Sequence, residues 1–188
     1  SVLRKKLPYN LETDFRPIVG IGSVPLVLVA RAGLKIKTIE EFTVVARKGS
    51  LLFGSGGVGT VGHLTSLSLL NELGATATHV PFRGNPDVMQ AILGGSVDFF
   101  FGSIADALAY AESADVVLLG MTADRRAPTL KAVPTMAELG LAKIDSKLWY
   151  AFMAPSQTPA DRVKRLHDAI AAAASDPDLQ KQVGALGF

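Results

Sequence analysis

The sequence predicts an α/β protein with a largely parallel sheet, and three features carry that prediction. Short β-branched apolar runs alternate with helix-period segments between Thr38 and Gly140. Most of the helical segments open on a side chain able to cap their first turn, Thr38, Thr60, Asn85, Ser103 and Thr135 among them. At residues 51–64 an apolar run passes through four glycines within six residues straight into a helical pattern, the strand–loop–helix junction that parallel sheets repeat.

In chain order, residues 16–21 and 26–30 read as buried strands, short and bounded by Gly and Pro. Thr38-Ile39-Glu40-Glu41 is a capping box for a helix to about residue 48. A strand at 51–54, a helix at about 60–73 and a strand at 77–80 follow. Asn85-Pro86-Asp87 supplies an N-cap, an N1 proline and a first-turn acid for a helix ending at Gly94-Gly95. Residues 97–101 form a strand, Ser103 caps a helix to about residue 112, and 115–121 form another strand. Thr135-Met136-Ala137-Glu138 is a second capping box, for a short helix ending at Gly140. A strand at 147–154, an amphipathic helix from Thr158-Pro159-Ala160-Asp161 and a last helix from Asp176-Pro177 complete the chain. Residues 35–145 are expected to form one complete α/β domain. Residues 1–34 and 146–188 are then the remaining parts of another, joined by two crossing segments.

Composition excludes several functions. The 188 residues are 48% hydrophobic and 19% charged, enough apolar material for a full core. A net charge of +2 without a basic stripe argues against nucleic acid as a partner. No apolar run approaches the ~20 residues that span a bilayer, so direct membrane insertion is not expected. Without cysteine there are no disulfides and no thiolate chemistry. His63, His79 and His167 lack metal-ligand spacing, and neither a metal nor a cofactor is expected.

The glycine junction Gly54-Ser55-Gly56-Gly57-Val58-Gly59-Thr60 is the main candidate site. Glycines let successive N–H groups turn toward one point, and the helix that follows adds unpaired N–H groups and the positive end of its dipole. Such a junction suits a carboxylate or a phosphate. Gly54-x-Gly56-x-x-Gly59 also matches the dinucleotide fingerprint, which requires an acid about 20 residues on to bind the ribose. The next strand region, Ala77-Thr78-His79-Val80-Pro81-Phe82-Arg83, holds none, and Glu72 falls too early. No Lys follows the glycines as a phosphate loop demands. A tight turn with no ligand stays open as a third reading.

Because carboxyl-end loops of a parallel sheet share one face, the candidates converge there. They are Ser55, Gly56, Gly57, Gly59 and Thr60 after one strand, Arg83 after the next, then Ser103 and Thr122. No catalytic residue is expected. Ser55 sits in Gly-Ser-Gly rather than Gly-x-Ser-x-Gly, and Asp98, Asp106 and Asp115 fall where capping and helix dipoles account for acids.

Several segments resemble the substrate-binding proteins of tripartite tricarboxylate transporters, the Bug receptors. Phe53-Gly54-Ser55-Gly56-Gly57-Val58-Gly59-Thr60 with His63-Leu64 looks like their glycine segment. His79-Val80-Pro81-Phe82-Arg83-Gly84 resembles their His-Val-Pro-Tyr-Lys-Gly, and Gly94-Gly95-Ser96-Val97-Asp98 their Gly-Gly-x-Val-Asp. Arg125 with Val133-Pro134-Thr135-Met136-Ala137-Glu138-Leu139-Gly140, and Trp149 with Ala154-Pro155 and Thr158-Pro159, match two further segments in order.

The resemblance implies a periplasmic-binding-protein-like fold of type II, a Venus flytrap. It implies a periplasmic receptor, not an enzyme, that captures a small carboxylate between two domains and hands it to the membrane components of its transporter. It places Ser55, Gly56, Gly57, Gly59 and Thr60 on the second-domain side of that cleft. The family's signal peptide, first strand, first glycine-rich loop and final strand–helix tail have no counterpart here, so a chain truncated at both ends is expected. Two other classes remain in contention: an enzyme holding a nucleotide cofactor at Gly54-x-Gly56-x-x-Gly59, and a pure interaction module.

Overall fold

The computed structural model describes residues 7–185. Its elements run β1 (Phe15–Arg31), a 3-10 turn (Ala32–Leu34), α1 (Ile39–Ala46), β2 (Leu51–Ser55), α2 (Val61–Glu72), β3 (Ala77–Pro81) and α3 (Asn85–Leu93). They continue with β4 (Phe99–Ser103), α4 (Ile104–Leu108), β5 (Val116–Met121), β6 (Lys147–Pro155), α5 (Ala160–Ala174) and α6 (Pro177–Ala185). The chain divides into two compact units, one of residues 24–148 and one of the described residues on either side.

In the larger unit the strands are ordered β3-β2-β4-β1-β5. β2 is parallel to β3, from Leu51↔Ala77 to Ser55↔Pro81, and parallel to β4 at Phe53↔Phe99. β1 runs antiparallel to both of its neighbours in this order, pairing Leu26↔Ser103 to Ala30↔Phe99 on one side and Val27↔Met121 to Arg31↔Val116 on the other. The sheet is therefore mixed rather than largely parallel. Residues 24–34 also sit with the central domain, not with the flanking one as expected. The cause lies in the run Leu26-Val27-Leu28-Val29-Ala30, which is apolar on both faces of a period-2 strand. All five residues are 2% exposed or less, a burial only a central strand covered on both sides provides.

Successive residues of each strand then feed two cores. Leu28, Phe99 and Phe101 join Phe42 and Phe53 on one face, while Val27, Val29 and Phe100 join Val88, Ile92 and Ile104 on the other. At the amino end of β4, Asp98 accepts from the Leu52 N–H at 2.7 Å and pairs with the Arg31 Nε at 2.7 Å, tying β1, β2 and β4 together.

Caps follow the sequence with local departures. Thr38, Thr60 and Ser103 are N-caps whose hydroxyls accept from Glu41, His63 and Asp106 N–H groups. Gly84, not Asn85, caps α3, because the Asn85 side chain turns to Asp106 instead. The box at Thr135 forms both of its bonds, Thr135 N–H to Glu138 Oε2 at 2.7 Å and Glu138 N–H to Thr135 Oγ1 at 3.1 Å. It closes turns rather than a helix, and Gly140 ends them at φ +76°.

In the smaller unit the first part of β1, residues 15–23, is half-buried to exposed, whereas a buried strand was expected at 16–21. Ser156 N–H donates to Asp14 O and Arg16 Nη1 to Thr158 O, linking the two chain stretches. Helix α5 buries none of its residues.

Candidate functional site

The site is built from the carboxyl end of β2 outward. Ser55 ends that strand at 1% exposure. Its Oγ lies 2.9 Å from the Gly57 carbonyl oxygen and 2.7 Å from His79 Nε2, and it accepts the Gly57 N–H at 3.2 Å. Thr60, exposed at the N-cap of α2, donates its hydroxyl to the same Gly57 carbonyl at 2.8 Å, and its N–H approaches that oxygen at 3.3 Å. Donors from both sides of the loop thus hold this carbonyl inward. In a trans peptide the N–H points opposite to the C=O, so the Val58 N–H turns outward, and Val58 is 73% exposed. The loop can do this only because Gly57 (φ +136°) and Gly59 (φ +79°) occupy backbone regions that side chains oppose.

The result is a set of N–H groups with no partner among the described residues: those of Gly56 and Val58, and those of Val61 and Gly62 in the first turn of α2. The Gly57 N–H is taken by Ser55 and the Gly59 N–H by His63 Nδ1 at 3.1 Å. The free donors and the α2 dipole together favour an anion. Both candidate hydroxyls of the loop, those of Ser55 and Thr60, reach the Gly57 carbonyl and shape the loop that presents the N–H groups.

The neighbouring strand-end loops are bound to this one. Phe82 N–H donates to Ser55 O at 2.9 Å, and a Cβ on Gly56 would stand 3.2 Å from Asn85 Oδ1 and 3.4 Å from Gly84 Cα. Asn85 Nδ2 donates to Asp106 Oδ2 at 2.7 Å. A Cβ on Gly62 would lie 2.7 Å from the Phe101 carbonyl oxygen, which shows how closely α2 packs on β4.

The remaining candidates divide. Arg83 follows β3 and is exposed, with no hydrogen bond or ion pair among the described residues, so its guanidinium is free to meet an anion. Ser103 spends its N–H and hydroxyl on Asp106, each at 2.8 Å. Thr122, 2% exposed, accepts from Leu26 N–H at 2.8 Å and donates to Ser146 O, which fixes the chain beside β1 and β5. Neither hydroxyl is directed at the glycine loop.

Two histidines gather behind the loop. His63, at the N3 position of α2, and His79, on β3, have ring centroids 4.0 Å apart, and Phe53 stacks on both at 5.9 and 4.9 Å. Burial, reinforced by the charge that His63 would carry, holds the His79 pKa below the usual imidazole value. The pair was set aside in the sequence for want of metal-ligand spacing. Its signal lay in the parallel register, which puts Phe53 opposite His79. Among the described residues no cluster of His, Asp and Glu suits a metal, and no helix is long and apolar enough to cross a membrane.

A profile described as the tripartite tricarboxylate transporter family receptor matches residues 2–188. A UPF0065 protein from the tcbD–tcbE intergenic region of Pseudomonas sp. strain P51 is 34% identical over 97% of this chain and 55% of its own length. Protein BugT of Bordetella pertussis is 30% identical over 83% of this chain and 48% of its own. The chain thus spans about half the length of these curated relatives. Among solved structures, the periplasmic binding protein BugD superposes with TM-score 0.86 at 28% identity, covering 95% of this chain and 60% of BugD. MatC of Rhodopseudomonas palustris, with bound malate, gives 0.86 at 29% over 98% of this chain and 64% of MatC. A second R. palustris protein, solved with adipate, gives 0.89 at 25% over 97% and 62%. These matches agree with the type II periplasmic-binding-protein fold that the resemblance implied. The chain belongs to the tripartite tricarboxylate transporter receptor family.

Proposed function

We propose that this protein is an extracytoplasmic solute-binding receptor that takes a small carboxylate at the opening of α2 and delivers it to the membrane components of a tripartite transporter. The observation that carries this reading is the outward set of unpartnered N–H groups at Gly56, Val58, Val61 and Gly62, with Gly57 held inward. Main-chain donors of this kind recognise the carboxylate and leave the rest of the solute to other contacts. Arg83 would supply a charge-assisted bond to a second acidic group. Malate in MatC and adipate in its R. palustris counterpart support a dicarboxylate class. In this reading residues 24–148 are the lobe that carries the cradle, and the flanking residues belong to a second lobe.

The competing reading, a nucleotide-dependent enzyme at the same loop, lacks its ribose-binding acid. β3 ends Val80-Pro81 and leads into Phe82-Arg83, with no acid to meet the ribose hydroxyls. A thermal-shift screen of the full-length protein separates the two. Malate, adipate and related carboxylates should raise the melting temperature, and NAD and NADP should not. Stabilisation by the nucleotides alone would replace the receptor reading with the enzyme, and stabilisation by neither class would favour an interaction module.

A further inference from the structure

We infer that His63 and His79 are positioning residues that lock the glycine loop into its anion-presenting shape. The inference rests on the carboxylate reading of the loop for its purpose, but on the loop's own geometry for its substance. His63 Nδ1 takes the Gly59 N–H at 3.1 Å, and His79 Nε2 meets the Ser55 Oγ at 2.7 Å.

Proton placement makes the two contacts one device. To accept from Gly59, Nδ1 of His63 must be bare, so the neutral ring carries its proton on Nε2. For His79, a proton on Nε2 lets every bond around Ser55 form at once. That N–H donates to Oγ, Oγ–H donates to the Gly57 carbonyl, and the Gly57 N–H donates to Oγ. His79 thereby orients the Ser55 hydroxyl that holds Gly57, while His63 holds Gly59, and Val58 lies between the two anchored glycines. The rings touch each other and Phe53, so neither swings away without losing that stack.

Substitutions that copy one ring nitrogen test this in the full-length protein. In His63→Asn the amide oxygen replaces Nδ1 as the acceptor, whereas His63→Leu offers none. In His79→Gln the amide nitrogen replaces Nε2–H, whereas His79→Leu does not. The first readout is the Gly59 amide resonance of ligand-free, nitrogen-15-labelled protein, which should stay near its wild-type position in His63→Asn and stand displaced in His63→Leu.

The second readout is affinity for malate and adipate at pH 7.5. It should fall about three- to tenfold in each Leu variant and return in His63→Asn and His79→Gln. A Gly59 resonance that ignores both His63 substitutions overturns the positioning role even if malate or adipate binds. Leu variants that bind these acids as tightly as wild type overturn it as well. If wild type binds neither acid while the Gly59 resonance still responds to the His63 substitutions as expected, the positioning role stands and the carboxylate reading is what has failed.

Discussion

Replacing Thr60 by valine isolates the loop-shaping role of its hydroxyl. That hydroxyl donates to the Gly57 carbonyl at 2.8 Å and accepts, at a long 3.5 Å, from the His63 N–H as the α2 N-cap. Valine keeps the β-branched shape and removes both bonds. A lost N-cap costs about 0.5–2 kcal/mol and a net hydrogen bond about 0.5–1.5 kcal/mol. Because Thr60 is exposed and the cap contact is long, water compensates part of this, and about 1–2 kcal/mol of stability should go. That loss is readable as a lower urea midpoint at unchanged slope. Affinity should fall by roughly threefold to tenfold, since a loosened Gly57 carbonyl lets the Val58 N–H wander from the anion. Thr60→Ser, which keeps the hydroxyl, should restore most of both. The two assays are urea unfolding and calorimetric titration with malate or adipate in the full-length protein. If Thr60→Val keeps its urea midpoint and its affinity, the hydroxyl does not shape the loop, and the outward N–H set loses its cause.

Other consequences are equally direct. Gly59→Ala forces a side chain onto φ +79°, and should cost about 1–2 kcal/mol in urea unfolding; an unchanged midpoint would mean the loop relaxes freely. Gly62→Ala drives a Cβ to 2.7 Å from the Phe101 carbonyl oxygen, a backbone atom that cannot rotate away. It should cost about 1–3 kcal/mol and lower the melting temperature by several degrees, and a neutral outcome would contradict the close packing of α2 on β4. Asp98→Ala strands the Leu52 N–H and the Arg31 guanidinium; with Arg31 29% exposed, water softens the loss to about 2 kcal/mol, measured by the same unfolding curves. His79 titrates below the ordinary imidazole value in the folded chain, so below about pH 6.5 the unfolded chain binds more protons. Its contribution therefore makes stability fall with pH from near 6.5 downward, and in His79→Gln that slope should flatten.

Local chemistry was legible in the sequence because it is decided within a few residues. Thr38, Thr60 and Ser103 cap helices because their hydroxyls accept the N–H three positions on. Gly57 and Gly59 stand at positive φ values that side chains oppose, which the glycine run already signals. What the sequence hid depends on pairing across distance. An apolar run such as residues 26–30 declares burial on both faces, but its periodicity says nothing about neighbours or direction, so its place between β4 and β5 was not legible. The same limit governed the site. Ser55 and Thr60 were placed on the loop, yet spacing does not give the direction of a hydroxyl. Both reach the Gly57 carbonyl because the loop folds back within hydrogen-bond reach of each. His63 and His79 meet only when α2 packs over β2 and β3 pairs with it in the Phe53↔His79 register. A glycine loop of this kind is therefore written in two layers. The glycines that permit it are local, and the groups that hold its shape arrive through the sheet.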